Sequence, residues 1–337
     1  MKKRALTILQ YVFFLALGLF LVWWTIRDLN ANDRSQIKTS LRHARYFLII
    51  PVFIILITSH YVRGLRWRLL IEPLGYKTKK SNALFSVMIG YLTNLAFPRL
   101  GEVVKCTALS RYEKVSVDKL IGTVILERIV DVLSLLVIFG ITLVIQPGIY
   151  TQLVETLFQN NNSAKSEKTS ALIIILVIIG IIILGLIGWM VIKKKKPADI
   201  VNLIKSIILR IWEGVTTIQH LKKRAYFIFL TVALWTLYLL CGYLGFFALQ
   251  ETEHYGIKEA FTVLSAGSIG MIIPTPGGIG SYAYLVQKTM ILYGLNEGIA
   301  LAFGWMLWVA QTSVLLIGGL FSFVALPYFN KKRIEKS

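Results

Sequence analysis

The chain has 337 residues and a formal net charge of +20, yet 56% of its residues are hydrophobic, only 16% are charged, and the mean hydropathy is +0.67. A soluble domain carries about a quarter charged residues. This composition therefore excludes an ordinary soluble enzyme, and apolar runs near the ~20 residues of a bilayer crossing mark a polytopic helical membrane protein.

The first apolar run, 6–26, follows Lys2, Lys3 and Arg4 and ends in Trp23 and Trp24. It is too long for a signal-peptide core and lacks a small-residue cleavage site, so it reads as a retained signal anchor with an interfacial tryptophan belt. Residues 31–44 are amphipathic and expected to lie in the interface. A second span covers 46–65. At its inner end Arg63, Arg66 and Arg68 flank Trp67, which reads as positive-inside anchoring with a secondary role in gathering lipid phosphates. The apolar region 81–98 stops at Pro98 and reads as a re-entrant hairpin rather than a crossing. A third span, 120–145, carries Glu127, Arg128 and Asp131. A polar extracytoplasmic loop is expected at 146–170, then a span at 171–192, an amphipathic stretch at 198–221 and a span at 225–249. A second interrupted region, 259–273, leads into the break Pro274 to Gly280. The last span is 297–326, and 331–337 is a basic cytoplasmic tail.

Lys and Arg set the orientation. With a cytoplasmic N-terminus and both interrupted regions re-entrant, cytoplasmic segments hold 26 of the 37 basic residues and outer segments hold eight, five of them in 27–45. Both termini are then cytoplasmic, in a cell inner membrane. The basic excess would suggest nucleic acid on a soluble chain. Here it is assigned to anionic headgroups, and no nucleic-acid partner is expected.

The two breaks are related by position. Pro98 and Pro274 are 176 residues apart, and at that spacing Phe85 meets Phe261, Val87 meets Val263 and Gly101 meets Gly277. Residues 1–145 and 171–330 then form two halves, each with three spans, an interfacial helix and a re-entrant helical hairpin. Three crossings is an odd number, so the second half is inverted. The expected fold is an all-α polytopic membrane protein built as an inverted repeat.

The first break is charged. Pro98 ends one helix, Gly101 starts another, and Arg99, Glu102 and Lys105 are spaced to share a helical face. Free amides at a helix start beside the Arg99 guanidinium would make a phosphate-binding corner. The competing reading is a plain helix-breaking turn with Lys105 snorkelling outward. In the span that follows, charges cost at least ~2.5–3.5 kcal/mol each at membrane depth, so Glu127, Arg128 and Asp131 must pair or line a wet cavity. Either Arg128 bridges Asp131 and Glu102, or Arg99 meets Glu127. Such groups serve transport, or lock the hairpin to the span. The second break is neutral: Pro274, Pro276, Gly277, Gly278 and Gly280 read as a wall or gate. Gly278, Gly280 and Ala283 fit a dinucleotide spacing, but no strand–turn–helix surrounds them. Trp235, Tyr238, Tyr243, Trp305 and Trp308 read as packing or belt residues, with Trp305 facing the centre. Cys106 and Cys241 read as small apolar residues, and His43, His60, His220 and His254 are scattered. No catalytic residue, metal or cofactor is expected.

Asn94, Pro98, Arg99, Gly101 and Glu102, with Glu127, Arg128 and Asp131, and with Pro274 to Gly280, together resemble the lysylphosphatidylglycerol synthase transmembrane-region family, or flippase-like domain family, over nearly the whole chain. The resemblance implies a lipid-handling membrane domain. The expected function is a flippase or transporter that moves an anionic, phosphate-bearing lipid or a polyprenyl phosphate between leaflets. Its headgroup would meet Asn94, Arg99, Glu102, Lys105 and Arg128, with Glu102, Glu127 or Asp131 as proton or ion-pair groups. The alternatives are an intramembrane headgroup or glycosyl transferase, or a non-catalytic membrane partner of a lipid-modifying enzyme. In bifunctional members the domain precedes a soluble aminoacyl-transfer domain. This chain ends at Ser337, just past the last span, so that activity is not expected. Members often carry an acidic residue soon after the Gly-rich break, where this chain has Ser281, Tyr282 and Ala283. No oligomeric state follows from the sequence.

Overall fold

A computed structural model describes residues 2–27, 29–158 and 221–331. Among these residues the regular elements are helical. They are α1 (Lys2–Arg27), α2 (Ala31–Arg42), α3 (Ile49–Ile71), α4 (Lys80–Ala96), α5 (Gly101–Glu113), α6 (Val117–Ile145), α7 (Ile149–Phe158), α8 (Arg224–Phe246), α9 (Ile257–Ile272), α10 (Ser281–Leu292) and α11 (Glu297–Phe329). The chain divides into two compact units, Met1–Thr142 with Lys222–Ser337, and Leu143–Leu221. In the second unit the described residues include α7, a helix where a polar loop is expected. There the left-handed Gly148 makes the turn, and the spacing of Ile149, Tyr150 and Leu153 suits a helix.

In the first unit α3 with its flanking turns (Tyr46–Leu74), α6, α8 and α11 are long and apolar enough to cross a membrane. They bear out four expected spans. The chain's first helix covers the expected signal anchor, and its apolar part runs Leu15–Arg27. The expected span 171–192 lies outside the described residues, as do 198–220 of the amphipathic stretch and 332–337 of the tail. The outward faces fit a bilayer: Leu136 and Val137 on α6 and Phe323 and Val324 on α11 are each more than 60% exposed. In water such a surface would aggregate, whereas in lipid it needs no cover.

Both interrupted regions fold as helical hairpins. α4 turns through Phe97 to Leu100 into α5, and α9 turns through the second break into α10. The helices recur in order and nearly in register: α4 ends at Ala96 and α9 at Ile272, the 176-residue spacing of the two prolines. Small residues let the arms approach. A Cβ on Gly101 would stand 2.0 Å from the Gly90 carbonyl oxygen, and one on Gly270 would stand 2.8 Å from Tyr282 Cα. Such close backbone contact is how helices associate where no hydrophobic effect separates them from the solvent.

The second break is satisfied from within. Gly277, Gly278 and Gly280 have φ of 57°, 72° and 75°, values that side chains with a Cβ rarely adopt. Ser281 Oγ donates to the Gly270 carbonyl at 2.8 Å, and the indole of Trp308 donates to the Gly277 carbonyl at 2.9 Å. Gly277 abuts Leu95 of α4, and Gly280 abuts the Gly18 carbonyl of α1. The irregular backbone is thus enclosed by protein, the condition under which it survives at membrane depth.

Gly101→Ala should therefore force the first hairpin apart and lower the melting temperature in detergent by several degrees. Gly122→Ala, where a Cβ meets nothing within 4 Å, should be neutral or stabilise α6 by up to ~1 kcal/mol. Equal melting of the two variants would contradict the packing described.

Candidate functional site

The charged residues of α3, α5 and α6 meet inside the first unit. On α3, Arg63, Arg66, Trp67 and Leu70 follow helical spacing and are buried on one face. On α6, Glu127 and Asp131 are one turn apart and face them. Arg63 Nη1 donates to Glu127 Oε1 at 3.0 Å and to Asp131 Oδ2 at 2.7 Å. Arg66 Nη2 donates to Asp131 Oδ1 and lies 3.6 Å from Glu127 Oε1. From α5, Lys105 Nζ donates to the second Glu127 oxygen at 2.6 Å, and its ammonium sits 4.1 Å from the Trp67 ring centre. Trp67 is itself held by its indole donating to Thr123 Oγ1 at 2.9 Å. Lys105 is 4% exposed, so it does not snorkel.

Arg128 is the outer member. Its guanidinium lies 3.5 Å from Asp131 and 3.9 Å from Glu102, and its side chain keeps 42% exposure. Of the two pairings open from the sequence, the structure takes the first. Arg99 does not meet Glu127, whose partners are Lys105, Arg63 and Arg66. Arg99 is exposed at the hairpin turn with φ of 66°. The expected corner of free amides at the start of α5 is also corrected, because Asn94 Oδ1 accepts from the Gly101 N–H at 2.8 Å and caps it. Pro98 and Gly101 bound that turn as expected, and Pro274, Pro276, Gly277, Gly278 and Gly280 form the second break.

A pocket of ≈ 10 Å³, room for about one water, lies beside this network, lined by Tyr91, Asn94, Gly101, Glu102, Lys105 and Arg128 among others. The network holds four cations, Arg63, Arg66, Lys105 and Arg128, against three carboxylates, Glu102, Glu127 and Asp131. Several donors have no partner: Arg63 Nε, Arg66 Nε and Nη1, and Arg128 Nε. The arrangement has the electrostatics of an anion site, with one unbalanced positive charge and N–H groups to spare. Among the described residues no group of His, Cys, Asp and Glu has metal-binding geometry.

Three participants escape a sequence reading. Arg63 and Arg66 look like anchors at the end of a span, yet they are buried and hold the carboxylates. Tyr238 of α8 reads as a packing residue, yet its hydroxyl accepts from Arg63 Nη2 at 3.3 Å. The available signal was the three-residue spacing of two arginines within a helix that continues to Ile71.

Glu127→Gln would leave three buried cations short of a counter-charge. Breaking a buried pair from one side costs about 3–5 kcal/mol. The variant should melt well below the parent in detergent. An unchanged melting temperature would mean that the cations are neutralised elsewhere.

Comparison with known proteins places this geometry. The chain is 23% identical over 334 residues to a protein named glycosyltransferase AglD from Haloferax volcanii, covering 90% of this chain and 53% of that protein. It is 26% identical over 133 residues to the UPF0104 membrane protein MJ1595 from Methanocaldococcus jannaschii, covering 39% of this chain and 36% of that one. The chain thus spans about half the length of the first relative, and less of the second. No solved structure matches it significantly. The family model described as the lysylphosphatidylglycerol synthase TM region matches residues 10–330. The chain belongs to this family of integral membrane proteins.

Proposed function

We propose that the protein moves an anionic, phosphate-bearing lipid between the leaflets of a cell inner membrane, with both termini cytoplasmic. The observation that carries this reading is the excess cation. Glu127 and Asp131 are engaged by Arg63, Arg66 and Lys105, whereas Arg128 stays partly exposed beside the small pocket. A phosphate oxygen at Arg128 would balance the network's extra positive charge and meet the free Nε of Arg128. Glu102 faces Arg128 across 3.9 Å on the same pocket and serves as its ion-pair partner. Glu127 and Asp131 act as fixed counter-charges that hold the cations in place.

The two hairpins supply the moving parts in this reading. Their shared order and spacing support an inverted repeat, the plan by which transporters expose one central site to each side in turn. The neutral break, with Gly277 against Leu95, serves as the gate. The lipid tails stay in the bilayer and only the headgroup crosses through protein.

A second reading, a glycosyl or headgroup transferase acting on a lipid, is favoured by the name of the Haloferax volcanii relative. The same network would then hold a lipid-linked phosphate next to the donor. A non-catalytic partner of such an enzyme is the third reading, and stable co-purification with one would favour it.

Reconstitution into vesicles with a labelled phosphatidylglycerol tests the first reading. Arg128→Gln should fold and lose about tenfold or more of the transport rate, the scale of one lost charge-assisted hydrogen bond. Arg128→Lys should retain part of it. Full activity in Arg128→Gln would move the headgroup site elsewhere. Sugar transfer to a polyprenyl phosphate by the purified protein, without lipid movement, would favour the second reading instead.

A further inference from the structure

A second cavity, of ≈ 530 Å³, lies in the first unit between the end of α1, α2, the start of α3, the end of α8 and the middle of α11. None of the charged network lines it. Its walls include Ile37, Leu41, Val52, Ala302, Trp305 and Ala310. Its size falls in the range of small-molecule sites. The cavity is partly open to its surroundings, and its almost wholly apolar walls do not retain ordered water. In a protein that sits in a bilayer, the hydrocarbon available to fill it is a lipid tail.

The roof of the cavity is unlike its walls. α2 reads Ala-Asn-Asp-Arg-Ser-Gln-Ile-Lys-Thr-Ser-Leu-Arg, and two of its few apolar side chains, Ile37 and Leu41, line the cavity. Its exposed residues include Arg34, Lys38 and Arg42, and Arg45 follows at the cavity wall. The helix is fastened at both ends. Asn30 and Asp33 form a reciprocal cap, and Asp33 packs on Gly298 of α11. Ser40 donates to Glu251, and Arg45 pairs with Glu253 at 2.5 Å. Tyr46 donates its hydroxyl proton to the Leu41 carbonyl at 2.6 Å. The helix thus turns Ile37 and Leu41 to the cavity and keeps Arg34, Lys38 and Arg42 exposed, an apolar face and a basic face on one element.

We propose that this cavity binds one acyl chain of an anionic phospholipid, whose headgroup rests against Lys38 and Arg42. The site is separate from the charged network and does not depend on the transport reading, because it requires only that the protein reside in a membrane.

Native mass spectrometry of the full chain in mild detergent tests it, with phosphatidylglycerol and phosphatidylcholine added in equal amounts. The parent should retain one phosphatidylglycerol per chain. Ala302→Phe with Ala310→Phe fills the cavity and should retain none while keeping its melting temperature within a few degrees. Should that variant fail to fold, Ala310→Leu alone reads the same loss in milder form. Lys38→Gln with Arg42→Gln should still hold a lipid, but its preference for phosphatidylglycerol should fall roughly tenfold or more. A parent that retains no lipid, or a filled variant that retains as much as the parent, overturns the proposal. Equal retention of the two lipids by the parent overturns its anionic part.

Discussion

Glu127 has no exposed surface, and its two oxygens divide three cations between them. One oxygen faces Arg63 and Arg66 of α3, and the other accepts from Lys105 of α5. In a low-dielectric interior neither the carboxylate nor the cations tolerate being alone. The contact therefore sets where α3, α5 and α6 must stand. It fastens the second arm of the first hairpin to the following span, and through Arg63 it reaches Tyr238 of α8. Asp131 repeats the arrangement one turn away and carries it out to Arg128. A structural lock does not exhaust this cluster, since the network as a whole carries four cations against three carboxylates and its outer member, Arg128, keeps an exposed surface.

The two hairpins solve one problem with different means. Each interrupts a helix where unpaired backbone groups are costly. The first uses a side chain, with Asn94 capping the amide of Gly101. The second uses glycines in left-handed conformation and borrows donors from Ser281 and Trp308. Ser281, the first residue after the Gly-rich break, thus supplies a hydroxyl that closes the turn. Both hairpins bring backbone close to backbone, but charge gathers at the first break, whereas the second, Pro274 to Gly280, carries none.

Much of this was legible in the sequence, for reasons that are local. Pro98, Gly101 and the run from Pro274 to Gly280 break helices by their own covalent geometry, so the hairpins could be placed without tertiary information. The spacing of Glu102, Arg128 and Asp131 limited the possible pairings to a few. What the sequence hides is burial at the end of a span. Arg63, Arg66 and Trp67 have the composition of a membrane-surface anchor, and only the packing of α4, α6 and α8 around α3 turns them inward. Arg99 misleads in the opposite sense: it stands beside the break in sequence, yet the turn that its positive φ creates sends it to the surface. The polar helix α2 was legible as amphipathic, but the cavity beside it is lined by five separate helices.

The central claim is that Arg128, the partly exposed member of a network with one cation in excess, receives a lipid phosphate. The most direct measurement is an experimental structure of the protein in nanodiscs containing phosphatidylglycerol. The account predicts headgroup density within hydrogen-bonding distance of the Arg128 guanidinium, in the pocket shared with Tyr91 and Lys105. Ordered lipid elsewhere on the protein, with Arg128 turned away and no density in that pocket, would contradict it.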